Sequence, residues 1–189
     1  MLVFDKKNFL DRDDLNEDNF IKVSLSPNNK LVPDLYNNLP GKSVWLPAEK
    51  SIVTNILDKE DLKIYFGVPA LSAPNFGCLI ERMLRKKVLS SVSLTKKAGN
   101  LVVGLDAIKS QLMERKHCLI ITAKSAKSLP KNSIFSYKSV CCFENFFDQR
   151  DLEKSTGKHK VKYLGIFSKN FKKTIQVDLN KLKGFIDNH

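Results

Sequence analysis

In the second half of this chain, cationic side chains bracket one glycine in a way that could bind a phosphate backbone. Lys96 and Lys97 precede Gly104, Lys109 follows it, and Lys124 and Arg150 lie further along. A glycine between a strand and a helix lets the backbone approach a ligand closely, and the helix start behind it offers free amides to an anion. Cations at the ends of elements can converge on one edge of a sheet. There they bind phosphates with salt-sensitive affinity and little sequence preference. Gly104 also fits an ordinary helix start, so spacing alone leaves both readings open. Arg115, Lys116, Lys127 and Lys131 extend the basic set.

A second constellation lies in the first third. Leu39-Pro40-Gly41-Lys42 is a turn with a cation at its tip, followed by Val44-Trp45-Leu46 and the chain's one tryptophan. Gly41 would make the corner, Lys42 would meet phosphate, and Trp45 would offer a flat face for stacking. The competing reading makes Trp45 the core anchor of a small domain. Phe146 and Phe147, expected in a strand-to-helix loop, either staple a helix to the core or stack on bases. Lys169, Lys172 and Lys173 read as a solvated basic tail to the last strand.

Catalytic patterns are not found. The sequence holds no G-x-x-x-x-G-K-(S/T), G-x-G-x-x-G or G-x-S-x-G. Asp148 and Asp151 fall at a helix start, where carboxylates stabilise orphan N–H groups. Cys78, Cys118, Cys141 and Cys142 show no C-x-x-C spacing and the three histidines are scattered, so neither a zinc site nor a disulfide framework is indicated. The expectation is a non-enzymatic protein with no metal and no cofactor.

Charge placement points the same way. Residues 1–60 carry eight Lys/Arg against ten Asp/Glu, whereas residues 61–189 carry 24 against 10. Such an asymmetry favours a polyanionic partner for the second part, nucleic acid first. An acidic protein partner, duplex DNA or a merely solvated basic surface would share the composition. No stretch resembles a signal peptide or reaches transmembrane length, and the expected setting is a reduced cytoplasm.

The elements that must position these residues follow from periodicity. Residues 1–19 are polar, acidic and expected to be loosely ordered. Strands over 20–25, 30–32 and 44–46 and a helix over 47–57 make a small unit within 1–60, and 61–75 reads as a linker. From 76 to 189, helices are expected over 76–97, 105–116, 148–155 and 179–186. Strands are expected over 101–103, 118–122, 139–143 and 161–167. Alternation of this kind spells an α/β layer fold with a small central sheet.

Two resemblances sharpen these expectations. Val32-Pro33-Asp34-Leu35 and Leu39-Pro40-Gly41-Lys42-Ser43-Val44-Trp45-Leu46, within Ile21 to Val53, resemble the bacterial YlxR-type family, with lysine and serine in place of its Arg-Gly. LTKKAGNLVVGLDAIKSQLMERKHCLIITAKSA, FDQRDLEKSTG and the strand after them resemble the kink-turn-binding ribosomal-protein family of the L-seven-Ae type. That family's RNA-reading motif runs G-x-(N/K)-(E/Q)-x-x-K; Gly104 matches it, while Asp106, Ala107 and Ser110 stand at the other positions. The pair of domains looks like an alphaproteobacterial fusion. The resemblance implies an α+β YlxR-like domain, then an α/β/α three-layer sandwich with a central four-stranded mixed sheet. It also implies RNA binding by both halves, on structured RNA of the translation or RNA-processing machinery, with ribosomal or other non-coding RNA and the ribosome as partners. The alternative function is a protein-interaction module docking an acidic ribosomal or transcription partner.

Overall fold

A computed structural model describes residues 17–57, 61–115, 117–130, 134–137 and 139–186. The expectations for 1–16, Lys116 and Lys131 lie outside these residues. The chain is α+β and divides into two compact units, Met1–Arg85 with Asn180–His189, and Lys86–Leu179. Both divisions fall inside helices rather than in the stretch 61–75.

In the first unit, β1 (Phe20–Leu25) pairs antiparallel with β2 (Leu31–Pro33) and with β3 (Ser43–Pro47), in the order β2-β1-β3. Period-2 alternation sets its faces. Ile21 opposite Leu46 and Val23 opposite Val44 are buried, while Lys22 stands opposite Trp45 on the other face. Pro47, expected to open a helix, ends β3 instead, opposite Phe20. An edge strand tolerates the missing N–H. Helix α1 (Lys50–Leu57) therefore starts three residues later than the pattern suggests. A second helix, α2 (Asp61–Phe66), occupies the supposed linker, with Leu62 and Phe66 buried one turn apart. Beyond it, Leu71 exchanges backbone hydrogen bonds with Asn29 and Leu31 at the edge of the small sheet.

Helix α3 (Phe76–Lys97) matches its expected bounds and leads into the second unit. That unit continues as β4 (Leu101–Val103), α4 (Leu105–Arg115), β5 (Cys118–Ala123), β6 (Val140–Phe147), α5 (Gln149–Thr156), β7 (Tyr163–Ile166) and α6 (Lys169–Lys183). Its four-stranded mixed sheet has the order β4-β7-β5-β6, with β5 and β6 parallel and the other pairs antiparallel. Every residue of β5 is buried, as a central strand covered on both faces requires. Ile108 and Leu112 of α4 pack on Cys118 and Ile120 of that strand, with Leu129, Phe135 and Phe167 closing the cluster.

In the second unit, β6 and α6 depart most from expectation. β6 runs to Phe147 rather than ending at Phe143, so Phe146 and Phe147 belong to the strand and not to a loop. Helix α6 begins at Lys169, ten residues early, and the supposed basic tail is its first turn. Its buried residues Ile175, Asp178, Leu179 and Leu182 keep helical spacing, and Asp178 is paired with Lys87 of α3 at 2.8 Å. Among the described residues, no helix is long and apolar enough to cross a membrane, and no group of three or more His, Cys, Asp and Glu could hold a metal ion.

Candidate nucleic-acid interface

The C-terminal ends of β4, β5 and β6 and the N-terminal end of β7 meet along one rim of the second unit. The register fixes this: Val103 lies opposite Leu164, Thr122 opposite Tyr163, and Ala123 beside Phe147. Backbone hydrogen bonds then stitch the strand exits together. Gly104 N–H donates to Tyr163 O at 3.0 Å, Ala123 N–H to Lys162 O at 2.9 Å, and Lys124 N–H to Phe147 O at 2.9 Å. With strands spaced about 4.8 Å apart, the rim is about 15 Å wide.

Gly104 forms its backbone corner. Its φ of +101° lies where side chains are strained, and a Cβ placed there would meet nothing within 4 Å, so the bend faces open space. The first hydrogen bond of α4 runs from Ile108 N–H to Gly104 O at 3.0 Å. The amides of Leu105, Asp106 and Ala107 precede that bond and have no intrahelical acceptor. Asp106 is exposed in the same turn and places a carboxylate beside them.

Lys124 and Arg150 are exposed on this rim. Lys124 faces Asp148 at 3.5 Å, with side-chain exposures of 51% and 66%, a pair that water screens heavily. Asp148 is the N-cap of α5 and Asp151 lies in its first turn, as expected, but the Asp148 carboxylate makes no cap bond to the amides. The loop before β7 adds Lys160 and Lys162, which sequence reasoning did not single out. Their signal was a period-2 alternation of Lys158, Lys160 and Lys162 around Val161, the last being buried. Glu153 holds that loop in place. Its carboxylate accepts from the Gln149 side chain at 2.8 Å and from Lys160 N–H at 2.6 Å. The Gln149 bond first, then the Lys160 and Val161 amides, outweigh desolvation and hold the Glu153 carboxyl below its ordinary pKa. On the other side, Tyr163 Oη donates to Lys127 O at 2.8 Å and pins the loop after β5.

Lys127 is exposed in that same loop, whereas the other sequence candidates are placed differently. Lys109 is half-buried in the second turn of α4, and Arg115 lies at that helix's far end. Lys96 and Lys97 end α3 at the opposite end of β4 from Gly104, where Asn100 O accepts Phe167 N–H. A Cβ on Gly157 would lie 3.3 Å from Lys96 Nζ, which puts that ammonium at the C-terminus of α5, where the helix dipole favours a cation. The five cations around Gly104 therefore do not form one group. Only Lys124 and Arg150 share its rim, joined by Lys160 and Lys162.

Lys42 and Trp45 belong to the first unit. Lys42 Nζ donates to Phe66 O at 3.2 Å, the last carbonyl of α2. Trp45 is half-buried on the face away from Val44 and Leu46, so it is not part of the buried core. The adjoining Val-Pro-Asp-Leu motif has a structural use. Buried Asp34 accepts from Lys22 Nζ at 2.9 Å and from the amides of Asn38 and Leu39 at 3.1 and 3.0 Å, fixing the loop before Gly41. Of the paired phenylalanines, Phe147 is fully buried, while Phe146 meets Phe143 edge to face at 5.4 Å.

No protein-family model and no curated protein matches the chain. Among solved structures, a protein of unknown function from Bacillus halodurans C is similar, with a TM-score of 0.42 and 21% identity over 50% of this chain and 97% of that one.

Proposed function

We propose that this is a non-enzymatic RNA-binding protein whose second unit holds structured RNA against the Gly104 rim. What carries the reading is the convergence there of an open left-handed glycine, the unbonded first amides of α4, and Lys124, Arg150, Lys160 and Lys162. Amides and cations together suit a ribose-phosphate backbone. The order α3-β4-α4-β5-β6-α5-β7-α6 supports assigning this unit to the α/β/α three-layer sandwiches of the L-seven-Ae type. The Val-Pro-Asp-Leu loop supports a YlxR-like first unit. Translation or RNA-processing RNA, ribosomal RNA included, is the partner this implies, in the cytoplasm. Asp106, Ala107 and Ser110 replace the family's kink-turn readers, so binding rests on backbone and charge rather than on tandem G·A pairs.

Filter retention of labelled, fragmented ribosomal RNA tests this directly, between about 50 and 200 mM salt. Retention should fall steeply with salt, and unlabelled RNA should compete better than duplex DNA or polyglutamate. Equal competition by polyglutamate would favour the acidic-protein partner instead. Absence of retention at the lowest salt would end the RNA reading.

A further inference from the structure

The edge strand β6 carries an insertion beside the rim. Ile121 pairs with Phe143 and Ala123 with Phe147, so Glu144, Asn145 and Phe146 stand against Thr122 alone. An insertion of this kind bends the strand and re-aims its side chains. Asn145 takes the left-handed region, φ 67°, and its N–H meets Thr122 Oγ1 at 3.4 Å. Phe143 and Phe147 are buried on either side and fix the ends of the bulge.

The Asn145 side chain is left over. It is exposed, and its carboxamide makes no hydrogen bond among the described residues. It lies two residues from Phe147, whose carbonyl accepts Lys124 N–H, so it stands next to the rim cations. Gln149, the neighbouring amide, is committed at both ends, to Ser125 at 3.1 Å and Glu153 at 2.8 Å.

Lysines and arginines on the rim recognise phosphate charge and carry no base information. A carboxamide presents a donor and an acceptor side by side, the pattern that matches the edge of adenine. We propose that Asn145 contacts an unpaired base, adenine first, and gives the rim its nucleotide preference. This rests on the RNA reading of the same rim.

The test is selection from a randomised RNA pool on the wild-type protein, followed by binding of the selected RNA and the starting pool to Asn145→Gly. Glycine keeps the left-handed bulge and removes only the amide. The variant should hold the starting pool within about twofold of wild type and lose about tenfold on the selected RNA. Asn145→Asp, which keeps the shape but removes the donor, should lose the same preference. Wild-type protein that retains no RNA overturns the RNA reading and this inference together. Wild-type enrichment that survives unchanged in both variants overturns the role of Asn145 alone.

Discussion

Lys22 Nζ lies 2.9 Å from Asp34 Oδ2, and Lys22 stands directly across the sheet from Trp45. Burial alone would raise the Asp34 pKa. Lys22 and the amides of Leu39 and Asn38 outweigh it and hold the carboxyl below its ordinary value of 3.8. A folded-state pKa below the unfolded one means that ionised Asp34 stabilises the first unit above that ordinary value. The stabilisation is lost as pH falls through the lowered folded-state value. The single tryptophan therefore reports acid unfolding of this unit by its fluorescence. Asp34→Asn should lower stability at neutral pH by about 2–4 kcal/mol and flatten the acid transition. A variant as stable as wild type, with the same acid midpoint, would show that the pair contributes nothing.

The end of α6 packs against the start of α1 within the first unit. Gly184 O accepts Lys50 N–H at 2.9 Å, and a Cβ on Gly184 would run into the backbone carbonyl of Ala48. Gly184→Ala should destabilise this unit by about 1–3 kcal/mol, since backbone offers no room to yield. Urea unfolding followed at Trp45 measures it, and a midpoint equal to wild type would refute the close approach.

Asp148 opposes the proposed phosphate track beside Lys124. Because its carboxylate makes no cap bond to α5, Asp148→Asn should leave the melting temperature nearly unchanged. RNA retention should rise about two- to threefold as one repulsive charge leaves the rim. Weaker retention would mean that the carboxylate itself serves the ligand.

The fold was legible where the pattern was regular. α3, β4 and β5 follow directly from apolar spacing, and the hairpin of β1 and β2 from turn chemistry at Ser26 to Asn29. Pro47 misled because an edge strand can end on proline, so local helix preference lost to sheet pairing with Phe20. The first turn of α6 was hidden by Lys169, Lys172 and Lys173, and by the burial of a charged residue, Asp178, that only Lys87 makes tolerable. At the site, Gly104, Lys124 and Arg150 could be picked out individually. Their common rim, and the exclusion of Lys96 and Lys97 from it, depends on the antiparallel direction of β7, which no local pattern encodes. The Asn145 bulge is likewise a product of register, visible only once β5 and β6 are paired.

The most direct test compares two charge reversals for retention of fragmented ribosomal RNA at about 100 mM salt. One is Lys124→Glu with Arg150→Glu and Lys162→Glu on the Gly104 rim; the other is Lys96→Glu with Lys97→Glu at the far end of β4. Both sets are exposed, and unchanged thermal melts establish that each variant is folded. The rim variant should lose at least about tenfold in affinity and show a salt slope shallower by about three, one for each cation removed. The Lys96 and Lys97 variant should lose much less. A folded rim variant that retains RNA as wild type does would contradict the assignment of this rim as the RNA-binding surface.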